Sequence, residues 1–519
     1  MTRRIRAPRS ADHAATATHE VQLKLRVPPA RLRALLALPL LRASGASRTL
    51  RLTSTYYDTP ELQLWRNRIL LRVRREGSRW VQAVKGGGAM TSGVHTRLEL
   101  ETVLRDAHPD LSVLPLNKLT KSLHSGKTAS RLMPVLITDI RRTVRKLTPA
   151  PGVQIELAID RGEIRCGPHR EAVCELELEL KRGPVSALFD LALQLVALQP
   201  LELEHHSKAE RGYALYAPQS AAPLKASAVR LERALDTGAA FRAITAAALL
   251  QIQGNARGVI DSDDPEYVHQ MRVGLRRLRS AMDLFCDQLG DVVEPHAAGL
   301  RKLGAGLGAA REWDVLVTET LPGMTGIPSV AKLIEACDLA RQSARKYSIK
   351  SIKTISYART MLVLGRWLAS PQTTTGAGWS ESARVAAATV LESRHARVLK
   401  RGRRLAVQSP EELHRLRIAI KKLRYAVEFF NDLFQVKPMT VQRIRLEKLQ
   451  DILGFINDAE SLEPLFAKAK SVSRQWPVAA ADAVVLWHQQ RAGRQRKRLA
   501  SAWRLFRDAP KPWQKTLRR

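Results

Sequence analysis

The stretch CELELELK, residues 174–181, sets Glu175, Glu177 and Glu179 on one side of an extended segment and Leu176, Leu178 and Leu180 on the other. Successive side chains of a strand point to opposite faces, so this run reads as a strand with one apolar and one acidic face. Like charges two apart on a strand repel unless something positive faces them. Positive partners are abundant. The 519-residue chain carries 85 Lys and Arg against 49 Asp and Glu, a formal net charge of +36. Both halves share the excess, with 35 bases against 21 acids up to Pro218 and 50 against 28 after it. A polyanionic partner follows from that balance.

Working outward, the same period of two recurs from Glu20 to about Glu179. EVQLKLRV (20–27) sets Glu20, Gln22 and Lys24 against Val21, Leu23 and Leu25. ILLRVRR (69–75) sets Arg72 and Arg74 against Leu71 and Val73. WVQAVKGGG (80–88) ends a strand near Lys85, and TRLELET (96–102) aligns Arg97, Glu99 and Glu101. VQIELAIDRGEI (153–164) supplies Glu156, Asp160 and Glu163, with a turn near Gly162. PARLRALLAL and VSALFDLALQLVAL read as helices that cover one side.

A half-buried antiparallel sheet explains any one of these strands. Taken together, their polar faces are almost all Arg, Lys or Glu, with acids and bases on different strands. Closing such a sheet with these faces inward makes a polar tunnel. Its basic wall would clasp phosphate oxygens, and its acidic wall would hold a divalent metal. Mg²⁺ and Mn²⁺ take carboxylate and phosphate oxygens. Phosphoryl transfer depends mainly on positioning and charge neutralisation, which such a lining supplies.

EVQLKL, YYDTPELQLWRNRILLRVRREG, VKGGG, RLELE, IELAIDRGEI and CELELELKRG resemble, in order, the motifs of the CYTH domain, the triphosphate tunnel metalloenzyme fold. The resemblance implies an eight-stranded antiparallel tunnel of the α+β class over 18–217, acting on a triphosphate with Mg²⁺ or Mn²⁺. It implies Lys24, Arg72, Arg74, Lys85, Arg142 and Lys208 as phosphate-binding bases, with Arg141 and Arg145 as near neighbours of Arg142. It places Glu20, Glu99, Glu101, Asp160, Glu175 and Glu177 among the metal-site and water-orienting carboxylates. One position departs. Where the family has ExExK, this chain reads Glu20-x-Gln22-x-Lys24, one negative charge short.

After a short linker, 218–225, the rhythm becomes helical and repeats. VHQMRVGLRRLRSAMDLF (268–285) aligns without a gap on LHRLRIAIKKLRYAVEFF (413–430). LRKLGAGLGAAREWDVL (300–316) echoes LEKLQDILGFINDAESL (446–462). At about 100° per residue, His269, Arg272, Arg276 and Arg279 share one face, while Met271, Leu275, Leu278 and Met282 share another. The second copy repeats this with His414, Arg417, Lys421 and Arg424 against Leu416, Ile420 and Leu423. Arg277 and Lys422 flank the stripes, and basic runs at 394–404 and 491–507 extend the surface. The two histidines lack the partners of a zinc site and read as donors to an anion. This half resembles the CHAD domain, an all-α bundle with internal twofold pseudo-symmetry, over 226–508. The resemblance implies the eight stripe residues as contacts to long-chain polyphosphate.

Other classes fit less well. Aromatics are only 5% of the chain, so the aromatic and basic interleaving of single-strand nucleic-acid binders is absent. The four cysteines form no CxxC and suit a reducing compartment. No run of about 18 apolar residues suggests a membrane span, and the basic start lacks the apolar core of a signal peptide. The reading is thus a cytoplasmic inorganic triphosphatase that also binds polyphosphate and associates with polyphosphate granules. Its rival is a non-catalytic polyphosphate-binding protein whose tunnel has degenerated at Gln22.

Overall fold

The structure, a computed structural model, describes residues 16–42, 47–91, 93–217, 222–289, 294–370, 377–403, 405 and 408–518. The basic start and residues 218–221 of the expected linker lie outside them. The chain divides into two compact units, one of Met1–Ala222 with Met361–Ala369 and the other of Pro223–Thr360 with Ser370–Arg519.

In the first unit the strands are β1 (Thr16–Arg26), β2 (Arg48–Asp58), β3 (Leu70–Glu76), β4 (Arg79–Thr91), β5 (Val94–Leu104), β6 (Met133–Leu147), β7 (Gln154–Cys166) and β8 (His169–Arg182). They pair in the order β5-β4-β3-β2-β6-β7-β8-β1, and β1 pairs back onto β5, closing an eight-stranded antiparallel barrel. A two-residue strand, β9 (Glu202–Leu203), adds to β1. Closure gives the acidic face of β8 its meaning. Leu176 and Leu178 are fully buried on the outside, yet Glu175 is also only 1% exposed and Glu177 9%. Both faces are therefore interior.

Three expectations about strands change. β4 does not end at Lys85 but runs on to Thr91 through a register shift between Gly86 and Ala89. β7 does not turn at Gly162. A Cβ there would lie 1.9 Å from the Asp139 carbonyl oxygen, so glycine lets β6 and β7 pass closely and the strand continues. Glu163 consequently faces away from Glu156 and Asp160 and pairs outside with Arg165 (2.5 Å) and Arg170 (3.2 Å). Two further strands, β2 and β6, escaped the alternation reading. Their inward residues include Leu50, Leu52, Ser54, Ile140 and Val144, so part of the lumen wall is apolar.

Among the helices that brace the barrel are α1 (Gln63–Arg66), α2 (Ser186–Leu198) and α3 (Lys208–Tyr216). α2 lies on β1 and β8, burying Leu188, Phe189, Leu191 and Leu195. The Asp58 carboxylate accepts the backbone N–H groups of Leu64 and Trp65 (both 2.9 Å) and the Tyr213 hydroxyl (3.1 Å). Trp65 also stacks on Tyr213, with ring centroids 4.5 Å apart. The YYDTP stretch thereby pins α3 to the barrel. At the other end of α3, Ser207 Oγ accepts from Glu210 N (3.2 Å) while the Glu210 carboxylate accepts from Ser207 N (2.5 Å), a capping box. That cap sets Lys208 as the first residue of the helix.

The second unit is helical: α4 (Thr237–Asp261), α5 (Pro265–Leu284), α6 (Glu294–Asp314), α7 (Val330–Ile352), α8 (Ala383–Arg401), α9 (Pro410–Phe429), α10 (Val436–Val472) and α11 (Val478–Arg507). Contacts run α4–α5–α6–α7 and again α8–α9–α10–α11, with α5 touching α9. The sequence repeat is thus a repeat of packing. Both repeated helices begin with a side-chain cap and a proline in the first turn, Asp264-Pro265 and Ser409-Pro410. Their apolar faces form the core. Met271, Leu416, Ile420 and Leu423 are fully buried, and Leu275, Leu278 and Met282 are at most 2% exposed. Among the described residues no helix is long and apolar enough to cross a membrane.

Candidate active site and anion-binding helices

Strand parity decides which side chains meet. β6 turns Arg142 into the lumen and leaves Arg145 outside, where it donates to the Leu41 carbonyl (2.8 Å). Arg141 is exposed. A cavity of about 870 Å³ fills the barrel interior, lined by Glu20, Gln22, Lys24, Arg72, Arg74, Lys85, Glu99, Glu101, Arg142, Asp160, Glu177 and Lys208. Of the tunnel residues singled out from the sequence, only Glu175 is not on that lining. It stands in the wall.

Asp160, Glu175 and Glu177 bring carboxylate oxygens within 4.8 Å of one another. Three hard oxygen donors in a buried setting suit Mg²⁺ or Mn²⁺. The trio is heavily compensated. Lys208 Nζ lies 2.6 Å from Asp160 and 3.0 Å from Glu177, and it also bonds Glu175. Arg142 grips Asp160 with two bonds (2.7 and 2.6 Å) and reaches Glu177 as well. Arg211 bonds Glu175 (2.6 Å) and Glu171 (2.7 Å), and Lys24 stands 3.5 Å from Glu177. Burial opposes ionisation of Glu177, but Lys208, Arg142 and Lys24 prevail and hold its carboxyl well below the usual range. Asp160 is lowered in the same way. Burial equally disfavours the Lys208 ammonium, and the three carboxylates overcome it and raise its pKa.

A second group lies on β1, β3, β4 and β5. Lys85 Nζ bridges Glu20 (2.9 Å) and Glu99 (3.0 Å), and Arg72 bridges Glu99 (3.0 Å) and Glu101 (3.3 Å). Against the pull of burial, Lys85 takes the Glu20 pKa down to about 2. Burial and then the neighbouring Glu99 push Glu101 up. Arg74 is less well served, with Ser54 at 3.1 Å and Glu76 at 3.4 Å. Burial, Arg72 and Arg142 push its pKa down, so an incoming anion relieves it.

Arg211 was missed in the sequence. The signal was available in HSKAERGY, where Arg211 follows Lys208 by three residues and so shares its helix face.

In the second unit the two basic stripes converge. Arg276 Nε donates to Tyr425 on the facing helix (3.1 Å). Burial and then Arg276, Arg417, Arg272 and Arg424 drive the Lys421 pKa down to about 7, so these five cations crowd one another. Such mutual repulsion is what a bound polyanion would relieve. His414 Nδ1 lies 2.7 Å from Asn457 Oδ1, and Arg424 donates to Gln450 (2.9 Å). His269 is half-buried and its pKa is lowered by burial and by Arg311, while Arg279 is exposed. Arg277 and Lys422, expected as flanking cations, are committed elsewhere. Arg277 is buried, paired with Glu428 and stacked over Phe429, and Lys422 pairs with Asp283 (2.8 Å).

Comparison with known proteins agrees with this division. The CYTH domain family matches residues 18–213, and the CHAD domain family matches residues 243–467. An inorganic triphosphatase of Haemophilus influenzae is 33% identical over 170 residues, which are 32% of this chain and 47% of that protein. The match therefore spans about half the length of that curated relative. The crystal structure of the CHAD domain from the plant Ricinus communis superposes with a TM-score of 0.52 at 30% identity, covering 56% of this chain and 98% of that one. The chain belongs to the proteins in which a CYTH domain is followed by a CHAD domain.

Proposed function

We propose that the tunnel hydrolyses inorganic triphosphate to pyrophosphate and phosphate with Mg²⁺ or Mn²⁺, and that the helical unit binds long-chain polyphosphate. The observation that carries the first part is one closed lumen lined by Asp160 and Glu177, with Glu175 close to them in the wall, and by Arg72, Arg74 and Arg142. The name of the Haemophilus relative supports the same reading. Arg72, Arg74, Lys85 and Lys24 bind and orient the phosphate oxygens. Asp160, Glu175 and Glu177 would hold a divalent ion, which when bound neutralises phosphate charge and makes the terminal phosphorus more electrophilic. Water attacks that phosphorus, its bond to the bridging oxygen breaks, pyrophosphate departs, and a proton is released. The carboxylates, held ionised, orient the water, whose proton passes to solvent.

Phosphate release from tripolyphosphate with Mg²⁺, with Mn²⁺ and with EDTA tests the reading, with Glu177→Ala as control. Metal-dependent turnover abolished by Glu177→Ala is expected. Tight tripolyphosphate binding without turnover under either metal favours the rival, a polyphosphate-binding protein whose tunnel no longer catalyses.

For the helical unit, the stripe residues His269, Arg272, Arg276, Arg279, His414, Arg417, Lys421 and Arg424 are the proposed contacts. Long polyphosphate should displace bound DNA at far lower phosphate concentration. The converse would favour nucleic acid. On this reading the domains span 18–217 and 226–508 about a linker at 218–225, and the protein works in the cytoplasm at polyphosphate granules.

A further inference from the structure

We infer that Lys208 is the resting occupant of the metal site, so that its ammonium and a divalent ion compete for the same three carboxylates until triphosphate draws the ammonium away. This rests on the triphosphatase reading of the tunnel and adds an order of events to it. Lys208 Nζ already bonds Asp160, Glu175 and Glu177, the set whose oxygens lie within 4.8 Å of one another. An ion bound by that set would sit among the oxygens the ammonium now touches. Both cannot be there.

Charge leads to the same conclusion. With Glu171, which Arg211 also bonds, four carboxylates face Lys208, Arg142, Arg211 and Lys24, so the resting cluster is already neutralised. A divalent ion added to all four cations would be a buried excess of positive charge, which a low-dielectric wall resists. One cation must leave, and three are tied down. Arg142 holds Asp160 with two parallel bonds. Arg211 is anchored by Glu171 and by the Ala172 carbonyl (3.1 Å). Lys24 is 4% exposed on a strand paired on both sides. Lys208 reaches all three carboxylates through a single ammonium, on a flexible four-carbon stem at the first position of its helix. It also lines the cavity, so an anion arriving there offers the ammonium a new partner.

The consequence is cooperative binding. Metal should bind the free chain weakly and the triphosphate-loaded chain strongly. Mn²⁺ titration of the full chain, followed by the loss of the free-ion electron paramagnetic resonance signal, measures this with and without imidotriphosphate, a slowly hydrolysed analogue. For the wild type the analogue should tighten Mn²⁺ at least about tenfold beyond what the analogue binds in buffer. Lys208→Met should bind Mn²⁺ at least about tenfold tighter than wild type without analogue, and gain little from adding it. Lys208→Arg, which keeps the charge, should stay weak.

Equal or weaker Mn²⁺ binding by a folded Lys208→Met chain overturns the inference. So does the absence of coupling between Mn²⁺ and analogue in the wild type, which needs no variant to fold. The underlying reading fails separately, through absence of tripolyphosphate turnover by the wild type.

Discussion

Arg142 and Arg74 project into one lumen with opposite commitments, and substitution should separate them. Arg142→Met breaks buried pairs to both Asp160 and Glu177 and leaves Lys208 as their one shared partner among the described residues, a loss of about 3–5 kcal/mol. Arg74→Met removes a guanidinium whose pKa is already depressed by burial and by Arg72 and Arg142, so it should leave stability within about 1 kcal/mol of wild type. Its cost should fall on triphosphate, as about a hundredfold loss in kcat/KM. Urea titration and steady-state kinetics on both variants decide this, and equal destabilisation would sink the contrast. Gln22 gives a second test. It is 5% exposed and faces Glu179 on one neighbouring strand and His95 on the other. Gln22→Glu adds a carboxylate beside Glu20, and should lower the Mn²⁺ concentration for half-maximal turnover by about three- to tenfold. No change would mean that metal lies beyond the reach of position 22. The choice of Arg142 over Arg141 and Arg145 shows what a sequence alone leaves open. DIRRTVRKL offers bases of both parities, and only the register of β6 against β7 says which face is inside.

Elements were legible where one physical demand set the pattern. CELELELK needed carboxylates on one face and leucines on the other, and both helical repeats needed an apolar stripe against a basic one. β2 and β6 were not legible because their inward positions mix Leu, Ser, Thr, Ile and Arg, a wall that serves packing and phosphate at once. Within the helical unit the repeat hides an asymmetry. On α9 the stripe is partly satisfied internally, by Asn457 at His414 and by Gln450 and Glu428 at Arg424. On α5, Arg272 and Arg279 have no hydrogen-bonded partner among the described residues. Position 304, a glycine facing Arg279, corresponds in the repeat to Gln450. α5 should therefore carry more of the affinity for polyphosphate. Arg272→Ala with Arg279→Ala should weaken binding by about 2–4 kcal/mol and flatten its salt dependence. His414→Ala with Arg424→Ala should cost less than half as much. Fluorescence anisotropy over a salt series reads both, and equal losses would mean that the internal partners release on binding.

At the scale of the molecule, both units bury neutral imidazoles. Burial lowers His205 in the barrel, and His395 and His488 in the helical unit, from 6.5 to about 4. Among the described residues neither ring nitrogen of His395 or His488 has a hydrogen-bond partner, and His395 packs against Phe506 and Trp513. In the unfolded chain each titrates near 6.5. Between about pH 6.5 and 4 the unfolded state thus binds more protons, so stability is full above that window and falls as pH drops through it. The barrel carboxylates act in the next window down. Glu20 and Glu210, lowered from 4.5 to about 2, keep their contribution above pH 4.5 and lose it below. Acid should therefore destabilise the protein in two stages, the first from histidine and shared by both units, the second from the barrel. His395→Phe isolates one term. It should leave stability at pH 7 unchanged or slightly raised, because an apolar ring replaces an imidazole without partners. It should also abolish about 3 kcal/mol of the loss between pH 7 and pH 4. Urea midpoints followed across that range test this, with the helical signal monitored by circular dichroism at 222 nm. An unchanged slope for the variant would mean that His395 finds a proton acceptor in the folded state, and that the acid sensitivity of the helical unit has another source.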